Sequence, residues 1–301
     1  MKSRYILPLV ALLLMASCER NNDFVEPSFL HVDAITLVPP SQNAITLEAG
    51  FYTSDIVAAY VVAHRPEAHS VDTLGLFQLP FTIPVLYSGE LDYLEIYPAI
   101  EQSGSSGFLP FYTFYNRIRL DNVTLTSGDT LSFGTLTTTY NIRTSDVLMY
   151  EMFEPTEGSL LFDSVMQWRP IAPDEACSGV GYGYVPVPDS VLTLSFCIDR
   201  DFEVRDASKL IYLELDTRSD VEYWVYMQSS VTQGAAPTLY PVMAIRPSTD
   251  WRHIYVNLGR TWTIFNHNPD FRILFTAVNN DNTGGEVRLD NVRLLTTSVV
   301  L

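Results

Sequence analysis

Between residues 29 and 136 the apolar residues come in short alternating runs, each stopped by a turn-forming residue. Residues 31–37 end at Pro39-Pro40, residues 44–48 at Gly50 and residues 56–63 at Pro66. Alternation puts successive side chains on opposite faces of a strand, and Gly and Pro at this spacing predict a sandwich of short strands. Residues 79–86 carry Pro80 and Pro84, which remove ladder donors and predict an edge strand or a bulged crossover. Residues 137–147 are polar, offer no core face and read as a joint. A second series opens at residues 148–154 and closes at 287–294. Within it Leu192, Leu194, Phe196 and Ile198 alternate with Thr193, Ser195 and Cys197, while Ile211, Leu213 and Leu215 alternate with Tyr212 and Glu214. Each reads as a half-buried strand. Residues 221–227, 251–258 and 271–278 add three more, giving roughly the seven or eight antiparallel strands of a jelly roll. The chain reads as all-β, with a sandwich at 27–138, a linker at 139–146 and a jelly roll at 147–297.

The first residues break this pattern. Lys2 and Arg4 precede an apolar run at 5–15 and then Ala16-Ser17-Cys18, the layout of a cleaved export signal too short to span a membrane comfortably. The residues Met15-Ala16-Ser17-Cys18 resemble the lipobox of bacterial lipoproteins. That resemblance implies that residues 1–17 are removed and that Cys18 becomes an acylated first residue, with several acyl chains giving stable anchoring. Residues 18–26 then read as a tether. Glu19 beside the anchor resembles the acidic export signals of Bacteroidota lipoproteins, which implies an outer-membrane, cell-surface location.

Charge narrows the partners. The formal net charge of −17 becomes −19 once Lys2 and Arg4 leave, and Lys209 is the only lysine that remains. A surface this acidic repels nucleic acid and anionic headgroups, so no nucleic acid partner is expected and membrane contact runs through the lipid anchor only. With Cys18 acylated, Cys177 and Cys197 are left as a candidate disulfide in an oxidising compartment, worth roughly 3 kcal/mol by loop-closure entropy. Two exposed free thiols is the alternative.

Further resemblances follow from the strands. The 79–86 segment, Gly89, the strand ending at Pro98, the 103–107 loop and Pro110-Phe111-Tyr112 resemble the N-terminal immunoglobulin-like, PEGA-like domain of a group of Bacteroidota outer-membrane lipoproteins, and no activity comes with that likeness. The Phe153-Glu154 pair in the opening strand, the closing Leu289-Asp290-Asn291-Val292-Arg293-Leu294 and the Trp251 strand resemble galactose-binding-like jelly rolls of carbohydrate-binding modules. In those jelly rolls a structural calcium often joins first and last strands. Matching residues puts Glu154 and Asp290 at the ligand positions, and the apolar register slips between Leu289 and Val292 as a bulge beside an ion would require. A turn-capping Asp290 is the alternative. No other cofactor is expected.

Ligand candidates are aromatic. Trp224 and Tyr226 share a strand face with Glu222 and Gln228, opposite Val221, Val225 and Met227, and form a possible glycan platform or a packing surface. Trp262 and the Tyr182 and Tyr184 pair, read in a Gly-rich loop, are further candidates, whereas Trp251 is expected in the core. The cluster Phe108, Phe111, Tyr112, Phe114 and Tyr115 reads as packing. Thr73, Thr130, Ser164 and Ser190 stand in Asp-Thr/Ser triplets that resemble the Bacteroidota O-glycosylation sequon. His31, His64, His69, His253 and His267 are scattered without metalloprotease spacing, and no nucleophile elbow is present, so the chain does not read as an enzyme. Two functions remain. One is a docking subunit contacting proteins of an outer-membrane assembly, secretion or transport complex, ranked first because it needs no ligand cleft. The other is a cell-surface glycan-binding lipoprotein.

Overall fold

The computed structural model describes residues 26–40, 49–66, 70–104, 107–154, 161–171, 178–205, 209–229, 237–264 and 270–298. Cys18, the export signal and most of the tether lie outside them. The described chain is all-β, built from stacked sheets with one short α-helix.

In chain order the N-terminal half contains β1 (Ser28–Val32), β2 (Ala34–Leu37), β3 (Ile56–His64), β4 (Val71–Gln78), β5 (Phe81–Val85), β6 (Gly89–Ile100), β7 (Ile118–Leu125), β8 (Thr130–Ser132) and β9 (Thr135–Thr138). One sheet runs β4-β3-β6-β7 and the facing one β5-β1-β8, with β2 and β9 paired alongside. Pro84 lies on β5, at the edge of its sheet, where a missing donor breaks no ladder. Leu30, Val32, Ile83 and Val85 from one sheet meet Ala59, Val61, Leu94 and Ile96 from the other.

The C-terminal half contains β10 (Val147–Glu151), β11 (Gln167–Pro170), β12 (Gly181–Val187), β13 (Thr193–Cys197), β14 (Phe202–Glu203), β15 (Lys209–Ser219), β16 (Glu222–Ser229), β17 (Leu239–Ile245), β18 (Ser248–Asn257), α1 (Gly259–Ile264), β19 (Asp270–Val278) and β20 (Gly285–Ser298). The larger sheet runs β11-β12-β20-β15-β18, with β10 also on β20; the smaller runs β13-β19-β16-β17, with β14 on β19. Val185, Leu213, Leu215, Val256 and Leu289 of the larger sheet pack on Phe196, Val225, Met227, Ile273 and Phe275 of the smaller.

The outer face of the larger sheet is partly covered by the N-terminal half. Leu37, Phe51, Ile100, Tyr112, Phe114 and Tyr115 pack on Tyr212, Tyr255 and Leu295. Glu101–Gly104 runs along β18, with a bridge between Gln102 and Tyr255 and a Ser103 N–H to Tyr255 C=O bond of 2.8 Å. The linker departs from the polar joint expected of it: the Tyr140 hydroxyl donates to Glu214 Oε2 at 2.7 Å, and its ring joins the same cluster. Tyr212 and Glu214, expected on the solvent side of a half-buried strand, are 6% and 0% exposed because the N-terminal half lies over them.

Candidate functional site

Where the N-terminal half stops, the outer face of the larger sheet stays open. Register pairs Arg169 with Tyr182, Tyr184 with Arg288, and Arg288 with Arg218. The Arg169 guanidinium lies 4.8 Å above the Tyr184 ring and the Arg288 guanidinium 5.2 Å from the Tyr182 ring, distances at which a cation is attracted to the ring quadrupole. Glu286 holds Arg288 in a salt bridge, and burial followed by the charge of Asp220 raises the Glu286 carboxyl above its ordinary value. Trp251 of β18 meets Tyr182 edge-to-face at 5.9 Å. Beside Trp251 opens a cleft of about 480 Å³, lined by Thr53 and Ser54 from the N-terminal half and by Ser178, Asp216, Arg252 and His253.

Below this cleft runs a buried charged network. Asp216 Oδ1 contacts His253 Nδ1 at 2.6 Å, and Asp216 Oδ2 accepts from Asn291 Nδ2 at 2.6 Å. His253 Nε2 lies 3.5 Å from Glu214, which accepts from Arg293 Nε at 2.7 Å and from the Tyr112 hydroxyl. Arg293 also donates to the carbonyls of Phe51 and, at 2.7 Å, Thr53. Burial would raise the Glu214 carboxyl, but Arg293 and His253 outweigh it and hold it at about 2. Burial likewise opposes the charge on His253, yet Asp216 and Glu214 raise its pKa above the usual imidazole value.

Ser178, His253 and Asp216 line one cleft but are not a catalytic triad. His253 turns Nδ1 to Asp216 and Nε2 to Glu214, while the Ser178 hydroxyl bonds to Asn291 at 3.0 Å and Asp290 at 3.4 Å. A triad needs the second imidazole nitrogen on the serine hydroxyl.

The expected site residues fall in several places. Trp224 and Tyr226 stand together, ring centroids 6.3 Å apart at 33°, half-buried on the outer face of the smaller sheet with Tyr223, Val225 and Met227 buried behind them. Trp224 Nε1 donates to Glu222 at 3.1 Å. This pair is on the opposite side of the sandwich from Trp251. Tyr182 and Tyr184 lie in strand β12 and not in a loop. The two tryptophans exchange roles: Trp262 is 1% exposed in the core, packed from α1, whereas Trp251 is half-buried beside the cleft. Of the aromatic cluster at 108–115, Tyr112, Phe114 and Tyr115 are buried, but Phe108 and Phe111 are 56% and 54% exposed.

Glu154 accepts from the Val180 N–H at 3.0 Å, and the fully buried Asp290 accepts from the Asn291 N–H at 2.7 Å. The bulge between Leu289 and Val292 is present, with Asn291 at φ 48°. Its polar groups are satisfied by protein, since Asn291 Nδ2 reaches both Ser178 and Asp216. Among the described residues no group of three or more His, Cys, Asp or Glu side chains is arranged so that it could hold a metal ion. Among the described residues Cys197 stands as a half-buried free thiol, which burial and Asp163 push up to about 11. Cys177 lies outside the described residues. Thr73, Thr130, Ser164 and Ser190 are all exposed. The Arg293–Glu214–His253–Asp216 network escaped sequence reading, because its members come from three strands whose register is a tertiary fact.

No family description matches the chain, and no curated protein matches it. Solved structures do. The family 30 carbohydrate-binding module of a Clostridium thermocellum cellulosomal cellulase is 12% identical, covering 52% of this chain and 94% of that one, with a TM-score of 0.37. A family 11 module from Clostridium thermocellum, in complex with a β-1,3-1,4-mixed-linked tetrasaccharide, is 14% identical over 48% and 95%, with a TM-score of 0.32. A mutant of a family 29 module is 14% identical over 50% and 93%, with a TM-score of 0.30. Likeness of this degree says nothing about a ligand of this chain.

Proposed function

We propose that this chain is a non-catalytic saccharide-binding protein, held at the outer membrane by a lipid on Cys18, with the cleft beside Trp251 as its binding site. The observation that carries this reading is the half-buried Trp251 ring, backed edge-to-face by the buried Tyr182, on a cleft of about 480 Å³ whose other lining groups are hydroxyls, a carboxylate, a guanidinium and an imidazole. Sugar rings offer C–H faces to aromatic side chains and hydroxyls to polar groups, and sites of this kind combine a few rings with a few placed polar atoms. Non-catalytic action fits the network below, where both carboxylates that flank His253 are tied into protein contacts. The docking-subunit reading rested on needing no cleft, so a cleft of this composition moves it to second place.

Native gels cast with soluble polysaccharides test the site. Wild-type protein is expected to be retarded by at least one of them. Trp251→Ala should weaken that retardation by about tenfold or more, the loss of one anchoring ring, with thermal melts confirming that the variant folds. Equal retardation of the two proteins rejects the site. For the anchor, the measurement is incorporation of a palmitate analogue, and a Cys18→Ala protein that still takes label rejects it.

A further inference from the structure

A second cleft lies in the N-terminal half, on the outer face of the β4-β3-β6-β7 sheet. It encloses about 440 Å³ between Tyr97, Phe111, Tyr115, Asn116, Arg117 and Asn141. A single exposed phenylalanine is ordinary on a protein surface, but Phe111 is held as a fixed ring. Tyr60 and Tyr97 meet it edge-to-face, at 6.2 Å and 87° and at 6.1 Å and 64°. Its backbone is zipped to β6 by the Ile100 N–H to Pro110 C=O bond of 3.1 Å and the Tyr112 N–H to Pro98 C=O bond of 2.8 Å. A ring that is more than half exposed and yet held by two ring contacts and by its own backbone loses little entropy on binding.

The charges around this ring cancel. Arg117, 59% exposed at its side chain, pairs with Glu95 at 3.0 Å. Glu95 also takes the Tyr97 hydroxyl at 3.0 Å and contacts His64 Nε2 at 3.1 Å. The cleft therefore presents aromatic faces, amides and guanidinium N–H donors without an uncompensated cation, which disfavours an anionic ligand.

We propose that the Phe111 cleft is a second binding site, for a neutral pyranose unit of a polysaccharide, with the Phe111 ring as stacking platform and Arg117 as hydroxyl-binding donor. It lies on a different sheet from the Trp251 cleft and shares no lining residue with it, so each site stands or falls alone.

The test uses the full-length protein on native gels cast with a galactomannan, a xyloglucan or a mixed-linkage β-glucan, comparing wild type, Phe111→Ala, Trp251→Ala and the double variant. The expected result is a polysaccharide that still retards Trp251→Ala, with retardation about tenfold or more weaker in Phe111→Ala and absent in the double variant. Phe111 is more than half exposed, so its truncation should lower the melting temperature only slightly, and melts of each variant show that it is folded at the gel temperature. Wild-type behaviour of Phe111→Ala in every gel overturns the inference, as does complete loss of retardation in Trp251→Ala alone, which would leave the first site standing. Loss in Phe111→Ala with an unaffected Trp251→Ala supports this site and rejects the first. If no gel retards wild type and Phe111→Ala instead releases a protein co-purified from membranes, this face is a protein contact and the saccharide assignment fails.

Discussion

His253 occupies an unusual position for a neutral-pH switch, buried between two carboxylates and a guanidinium. Its side chain is 4% exposed, with Asp216 at 2.6 Å, Glu214 at 3.5 Å and Arg293 Nη2 at 3.4 Å from the ring nitrogens. Its raised pKa means that the folded state favours the protonated ring. That stabilisation is fully present below the ordinary value of 6.5 and is lost as pH rises through the folded value. Glu214 works in the opposite sense. Held at about 2, it stabilises the fold above its ordinary 4.5, and that contribution fades as pH falls toward 2. Both contributions are complete only between those two ordinary values. Urea midpoints measured from about pH 5 to about pH 9 should therefore fall on the alkaline side for wild type and fall less for His253→Gln. Parallel profiles for the two proteins would show that His253 is not charged in the fold.

At the level of single elements, β12 shows why a glycine-rich stretch became a strand. Gly181 and Gly183 are fully buried, and the space a Cβ would need is taken: at Gly181 by the Trp168 indole nitrogen, and at Gly183 by Phe153 Cε1 at 2.5 Å and Met166 Sδ at 2.7 Å. The glycines let these side chains lie directly on the backbone, and the Trp168 Nε1–H closes the arrangement on the Phe153 carbonyl at 2.6 Å. On the outer side of the same strand Tyr182 and Tyr184 are left to face Trp251, Arg288 and Arg169. Gly183→Ala should overpack this contact and cost about 1–3 kcal/mol, read as a lowered urea midpoint with unchanged m-value. A neutral outcome would mean that Phe153 and Met166 can move aside.

Across the whole molecule, the two halves share a buried junction. Arg293 from β20 binds backbone carbonyls at Phe51 and Thr53, and hydroxyls of Tyr112 and Tyr140 bind Glu214 from β15. Separating the halves would leave Glu214 and Arg293 without those partners, and uncompensated buried charge is costly. Scanning calorimetry should accordingly show one cooperative transition, with calorimetric and van't Hoff enthalpies in agreement. Two resolved transitions would mean that the junction contributes little and that residues 139–146 act as a free linker.

Much of this was readable from alternation and turn residues. The strands, and the inward Val225 and Met227 behind the outward Trp224 and Tyr226, follow from a period of two, which is local and survives in the sequence; the edge position of β5, one of two readings its segment allowed, follows from the donors that Pro80 and Pro84 remove. What the period cannot carry is what lies over an outward face. The same alternation that places Leu213 and Leu215 inward puts Glu214 outward, and only the approach of Phe51, Tyr112 and Tyr140 turned that outward position into a fully buried ion pair with a residue 79 positions away. Trp251 and Trp262 are chemically identical, yet one borders an open cleft and the other fills the core, because their burial depends on where neighbouring segments end. Alternation along a strand fixes which side a residue takes; the packing of distant segments decides whether that side meets water, a ligand or the other half of the chain.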